Sequence, residues 1–121
     1  HVTVGDAPEG IDISPDGALA ATAELAGTDA SPDAWFYNKL STMTILKIER
    51  KRVTKVGQFQ TGPIGESISF TPDGNYLLVA NFVTNNVSVF KVEKGTVTPA
   101  GFDIAVGVGP AAMSKVTPYK R

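Results

Sequence analysis

Residues Gly5–Gly17 read GDAPEGIDISPDG, and residues Gly62–Gly74 read GPIGESISFTPDG. The two stretches lie 57 residues apart and share Gly5/Gly62, Glu9/Glu66, Ile11/Ile68, Pro15/Pro72, Asp16/Asp73 and Gly17/Gly74. A third, partial copy, GVGPAAMSKVTP, starts at Gly107, 45 residues after Gly62. Self-similarity at this spacing means one supersecondary unit per period, stacked on its neighbours. The first unit exceeds the second by 12 residues, and the excess has one home. ALAATAELA aligns with NYLLVANFV, and STMTILKIE with NNVSVFKVE. Between them the first copy holds AGTDASPDAWFYNKL, the second only a short VTN turn. The difference is an insertion, Ala26–Leu40, in one loop of a regular repeat.

Each unit reads as four strands. Ser67–Thr71 alternates apolar and polar residues. Pro72-Asp73-Gly74 is a tight turn: proline presets φ, the aspartate bonds locally, and glycine takes the left-handed position. Tyr76–Phe82 is nearly continuous apolar, as for a strand covered on both faces. Val87–Val92 alternates again, and Lys94-Gly95 turns into Val97–Ile104. The first unit supplies Ile11–Ser14, Leu19–Leu25, Thr42–Glu49 and Val53–Phe59 in the same order. The Ala-rich stretch 18–27 has helix propensity. Its alignment with Tyr76–Phe82 and its shortness predict a strand instead.

Short strands between turn signals, four per period of about 40–45 residues, indicate all-β propeller blades. The blades span residues 1–61 and 62–106, and residues 107–121 supply the inner strand of a third blade, near Ala112–Val116, and a tail. Propellers close with typically four to eight blades. Two blades leave broad apolar faces and unpaired edges, which favour association. The chain is therefore expected to be part of a larger propeller, completed by missing blades or by self-association. A compact two-sheet sandwich is the alternative. The opening His-Val-Thr has no initiator Met, charged n-region or apolar h-region, so a signal peptide is expected to be absent or already removed. The ends are expected to have been cut from something longer.

Composition limits the chemistry. The chain has 121 residues, the size of one small domain, 42% apolar and 19% charged. A net charge of −1 gives no electrostatic case for nucleic acid or a membrane surface. No apolar run approaches the roughly 20 residues of a membrane span. The absence of cysteine excludes disulfides and thiolate sites, and a single histidine, His1, excludes a multi-histidine metal site and an internal Ser-His-Asp triad. No P-loop, GxGxxG, GxSxG or HExxH motif occurs, and no cofactor is called for.

VANFVTNNVSVFKV, followed by VGVGP and flanked by SPDG/TPDG turns, resembles the YVTN-type propeller repeat. With KVEKGTVTPAG it is similar to the seven-bladed lactonase-type propellers related to 6-phosphogluconolactonase. VTVGDAPEGIDISPDG through VGPAAM resembles the C-terminal part of secreted bacterial members. The resemblance implies a propeller fold and an extracytoplasmic, periplasmic or secreted, location. It implies lactone hydrolysis less directly, because such repeats serve many functions. The tail departs from the pattern: no Asp-Gly follows Pro118.

Antiparallel order decides which loops share an end. Glu9 and Glu66, just before the innermost strands, fall on the same end as the insertion; the third copy has Ala111 there. Two carboxylates from adjacent blades suit a cation, a cationic group, a sugar hydroxyl, or acid–base work. A solvated or amide-capping loop glutamate is the structural alternative. The insertion carries Asp29, Asp33, Trp35, Phe36 and Tyr37, acids beside aromatics on a long loop, which is a candidate ligand or protein-partner surface. The alternative is that Trp35 and Phe36 pin the loop to its blade. Asp29 and Asp33 lack calcium-loop spacing, so no metal is expected there. The run KIERKRVTK, Lys47–Lys55, reads as a solvated turn. Arg50 and Arg52 fall on the end opposite the glutamates, whereas a phosphosugar site needs cations converging with its other groups. Asn81 and Asn85 are expected to hold strand ends and turns. Asn86-Val87-Ser88 is a glycosylation sequon opening a strand, where occupancy is not expected.

These features predict a non-catalytic binding or scaffold segment that uses the end with Glu9, Glu66 and the insertion. The alternative is part of a hydrolase for a sugar or carboxylate lactone, with Glu9 or Glu66 as water-activating base. A further alternative, a propeller subunit of a periplasmic redox complex, rests on fold analogy.

Overall fold

The computed structural model describes residues 1–115. Eight strands occur among them: β1 (Pro8–Ile13), β2 (Leu19–Glu24), β3 (Thr42–Glu49), β4 (Arg52–Gln60), β5 (Gly65–Phe70), β6 (Tyr76–Asn81), β7 (Asn86–Glu93) and β8 (Thr96–Ala105). They form two four-stranded antiparallel meanders, β1-β2-β3-β4 and β5-β6-β7-β8, which are two consecutive propeller blades. The Ala-rich stretch is β2, buried along its whole length. Its small side chains let β2 lie between β1 and β3 while Ala21 and Ala23 face the second sheet; tertiary packing overrides helix propensity.

The core lies between the blades. Leu19, Ala21, Ala23, Met43 and Ile45 of the first meet Ile68, Phe70, Leu77, Val79, Phe90 and Val97 of the second. Phe59 tilts onto Phe90 with ring centroids 5.5 Å apart. Fully burying side chains such as Phe70 or Leu77 contributes about 1.5–3 kcal/mol each. Ile11 and Ile13 are the repeat equivalents of Ile68 and Phe70. They are 67% and 50% exposed, against 5% and 1% for their counterparts. The same row of the blade is thus buried where a neighbour exists and open where none lies among the described residues.

The two SPDG-type turns are built alike. Gly17 N–H donates to Ser14 O at 2.8 Å, and Gly74 N–H to Thr71 O at 2.8 Å. Asp16 accepts from the Ser14 hydroxyl (2.6 Å) and the Ala18 amide (3.0 Å). Asp73 accepts from the Thr71 hydroxyl (2.6 Å) and the Asn75 amide (3.0 Å). The hydroxyl, then the amide, holds each carboxyl below the usual aspartate range. Gly17 and Gly74 close the turns at φ 72° and 75°, a region open to glycine.

The connector into each inner strand repeats as well. Ala7, Ile64 and Gly109 occupy the same repeat position, and all three are left-handed, at φ 49°, 52° and 65°. Ala7 O accepts from Leu25 N–H (2.9 Å), and Ile64 O from Phe82 N–H (3.0 Å). The loop of the preceding blade clamps the connector from the other side. The Thr28 hydroxyl accepts from Ile64 N–H and the Ser41 hydroxyl from Gly65 N–H, both at 3.1 Å. Asn85 Oδ1 accepts from Gly109 N–H at 2.9 Å, the corresponding contact one blade on. Residues 106–115 carry no strand pairing. The inner strand expected near Ala112–Val116 runs past the described residues, and no second strand of a third blade lies among them to pair with it.

Candidate functional site

Both glutamates sit on β-bulges. The β1–β2 register shifts between Pro8 and Gly10, and the β5–β6 register between Gly65 and Ser67, which leaves Glu9 and Glu66 as the extra residues. A bulge re-aims one side chain out of the ladder, so the repeat turns a carboxylate outward at the start of each inner strand. Glu9 is exposed and Glu66 half-buried, and neither carboxylate accepts a hydrogen bond among the described residues. The two inner strands are close: a Cβ on Gly10 would stand 3.2 Å from Glu66 O. No group of three or more acidic or histidine side chains suited to a metal occurs among the described residues.

The register puts the insertion on the same end. Pro8 faces Glu24, Glu24 faces Thr42, and Thr42 faces Gln60, so the β2–β3 connection starts where β1 starts. Arg52 pairs with Glu49 at the opposite end, and Arg50 and Lys51 make that turn. Lys47 pairs with Glu49 there at 2.6 Å.

Inside the insertion the aromatics are presented, not packed. Trp35 is 94% exposed and Phe36 49%; they make an edge-to-face pair with centroids 5.5 Å apart. Tyr37 is half-buried, and Asp29 and Asp33 are exposed. Trp35 therefore does not pin the loop to its blade. Backbone and small polar groups do: Asn38 Nδ2 donates to Ala26 O at 2.6 Å, and the Thr28 and Ser41 hydroxyls lie 2.9 Å apart. The Phe36 carbonyl rests on Gly27, where a Cβ would stand 2.3 Å from it. Gly27 also has φ 84°, so glycine is required twice over.

A family model described as a seven-bladed β-propeller lactonase matches residues 5–113. The chain belongs to that family. Among solved structures, a proposed 6-phosphogluconolactonase of Bacteroides fragilis superposes with TM-score 0.67 at 29% identity, covering 89% of this chain and 27% of that one. Kuenenia stuttgartiensis hydrazine synthase superposes with TM-score 0.66 at 24% identity over 98% of this chain and 28% of that one. The Pseudomonas aeruginosa periplasmic gluconolactonase superposes with TM-score 0.59 at 23% identity over 76% of this chain and 26% of that one. The last two show likeness of fold. No protein of curated function matches the chain significantly. This lactonase-family chain spans about a quarter of the length of these solved relatives.

Two polar positions in the lactonase-family segment escaped the sequence reading. Asp12 Oδ2 accepts from Phe70 N–H at 2.7 Å, tying one inner strand to the next, and pairs with Lys115 Nζ at 2.8 Å. Burial alone raises its pKa, but the Lys115 hydrogen bond, the Phe70 and Ile13 amides and the Lys115 charge together hold it below the usual aspartate range. Lys115 thus places a cation beside the inner strands, already neutralised. Glu24 is fully buried, bonded by the Thr22 and Thr42 hydroxyls beneath Gly5. Its repeat equivalent Asn81 is also fully buried, beneath Gly62, and donates to Asn86 Oδ1 (3.0 Å) and Ser88 Oγ (2.8 Å). The signal for Glu24 was available: both copies place a polar residue at one position of an apolar strand. Asp12 had no such signal, because the matching residue is Ser69.

Proposed function

We propose that the chain is a binding segment of a larger lactonase-family propeller, and that its bulge glutamates and insertion form part of the ring's recognition surface. The observation that carries this is Trp35, an aromatic 94% exposed on a loop held from beneath. Long side chains of this kind, exposed on an ordered loop, dominate recognition once a partner covers them. The bulged Glu9 and Glu66 add hydrogen-bond acceptors on the same end. The open row of Ile11 and Ile13 supports a neighbouring blade there, supplied by the rest of the ring or by another copy. An extracytoplasmic setting accords with the solved relative that is a periplasmic gluconolactonase.

A second reading, favoured by the family, is lactone hydrolysis. Here Glu66 or Glu9 takes a proton from water as its oxygen attacks the lactone carbonyl. The ring C–O bond breaks, and the proton passes to the departing alkoxide, giving the hydroxy acid. Charge stabilisation at the carbonyl then falls to Lys39 of the insertion or to other blades, because Arg50 and Arg52 lie at the far end and Lys115 is paired with Asp12. A role in a redox complex has only likeness of fold behind it.

Trp35 is the chain's one tryptophan, so in a larger ring the part of the fluorescence response that Trp35→Phe removes is the insertion's own. In a ring containing this segment, δ-gluconolactone is titrated while hydrolysis is followed. A saturable blue shift without turnover supports binding. Turnover that falls in Glu66→Gln or Glu9→Gln supports hydrolysis. Neither response, with Trp35→Phe also leaving partner capture unchanged, removes this end from both readings.

A further inference from the structure

A groove of about 660 Å³ opens between the two blades at the end where the insertion returns to its blade; Glu9, Glu66, Trp35 and the insertion's acids do not line it. One wall includes Leu40 and Gln60 from the first blade; the other includes Asn86, Ser88, Phe102 and Asp103 from the second. Both walls belong to this chain, so the groove does not depend on further blades.

The polar wall is organised. Asn86 Nδ2 donates to Asp103 Oδ2 at 3.0 Å, and the Thr84 hydroxyl donates to Asn86 Oδ1 at 2.7 Å. Asn81 lies directly behind, fully buried, and its Nδ2 donates to Asn86 Oδ1 and Ser88 Oγ. Asn81 Oδ1 is a buried acceptor with no partner among the described residues. Nδ2 is the atom aimed at Asn86 and Ser88, so the Asn81 amide holds the polar wall from behind. The β7–β8 ladder shifts register between Ser88 and Phe90, with Gly101 at φ 85°. That irregularity lifts Phe102 out of the ladder and leaves it 57% exposed beside Asp103.

We propose that this groove binds a neutral, hydroxyl-rich ring compound, a saccharide. The Phe102 ring offers a flat apolar face for the C–H side of a sugar ring. Asp103, Asn86 and Gln60 offer acceptors and donors in pairs, which suits vicinal hydroxyls. Anionic ligands are disfavoured: among the described residues, Asp103 is the one charged residue lining the groove, and no lysine or arginine lines it. The groove shares this end with the glutamates and takes Leu40 from the insertion, but the inference uses none of the carboxylates or aromatics of the proposed recognition surface.

The test is an amide-shift titration of a ring that carries this 121-residue segment in isotope-labelled form, with cellobiose, and separately with 6-phosphogluconate. Cellobiose is expected to move the amides of Asn86, Gly101, Phe102 and Asp103 saturably, with Kd on the order of 1 mM for an open site and a ligand of this size. Phe102→Ala, at an exposed side chain, is expected to weaken binding about tenfold, the loss of one stacking contact. Lys51→Ala, in the far-end turn, is expected to leave it unchanged. No saturable shift, an unchanged Kd in Phe102→Ala, or equal affinity for 6-phosphogluconate overturns the proposal. Shifts confined to Glu9, Glu66 and residues 29–37 overturn it too, and leave the proposed recognition surface standing.

Discussion

Lys115 Nζ lies 2.8 Å from Asp12 Oδ2, although 103 residues separate the two. The same carboxylate oxygen accepts the Phe70 amide, so one side chain joins three consecutive repeats along their inner edge.

This contact is pH-dependent in a definite direction. The folded pKa of Asp12 is depressed, so its contribution is present above the ordinary aspartate value and is lost as pH falls through the folded one. Asp12→Asn is expected to cost about 1 kcal/mol or less at pH 7, since the side chains of both ion-pair partners remain partly exposed to water. The deficit is expected to shrink at acid pH, as the folded carboxyl becomes protonated below the ordinary aspartate value. Urea unfolding of both proteins at neutral and acid pH measures this. A deficit equal at both would mean that the Asp12 charge contributes nothing.

Blade packing is expected to be unequal along the repeat. Phe70→Ala should cost about 3–5 kcal/mol, because a fully buried ring leaves a cavity between the sheets. Ile13→Ala, at the equivalent but half-exposed position, should cost about 1 kcal/mol or less in the isolated chain. In a ring where a neighbour covers that row, Ile13→Ala should cost about 2–5 kcal/mol. Denaturant midpoints of the segment and of a complete ring give both values.

Gly27→Ala should release the insertion. A left-handed alanine costs roughly 1–2 kcal/mol, and its Cβ would also collide with the Phe36 carbonyl. Gly17→Ala has a similar φ with nothing within 4 Å, so it should show the dihedral cost alone. Limited proteolysis checks this: cleavage within residues 29–37 should accelerate in Gly27→Ala and stay unchanged in Gly17→Ala.

Glu24→Gln should be tolerated and Glu24→Ala should not. The second blade already places an amide, Asn81, at this position, so the pocket between two hydroxyl-bearing strands accepts either group. Alanine strands the Thr22 and Thr42 hydroxyls and should cost about 1–3 kcal/mol. Thermal unfolding of the two variants decides. A loss in Glu24→Gln as large as in Glu24→Ala would mean that the charge itself is required.

The eight strands were legible because turn chemistry and the repeat fixed one another. SPDG and TPDG placed the turns, and alignment with Tyr76–Phe82 settled the Ala-rich stretch, where local propensity alone points to a helix. The shared end of Glu9, Glu66 and the insertion followed from strand order. The bulges under those glutamates were not legible, because an extra residue in a ladder shows only in the register of the partner strand. Nor was the choice between a packed and a presented Trp35. Composition says that an aromatic is present, while its exposure depends on Gly27 and Asn38 holding the loop without it. Asp12–Lys115 is a contact between distant repeats, which no local pattern encodes.

The insertion is fastened at its roots, through Gly27, Thr28, Asn38 and Ser41, while its middle faces solvent. The stretch from Asp29 to Tyr37 is therefore a cassette. Mutation or grafting there leaves both sheets undisturbed, so the recognition proposed for this end can drift, or be engineered, at a nearly constant folding free energy.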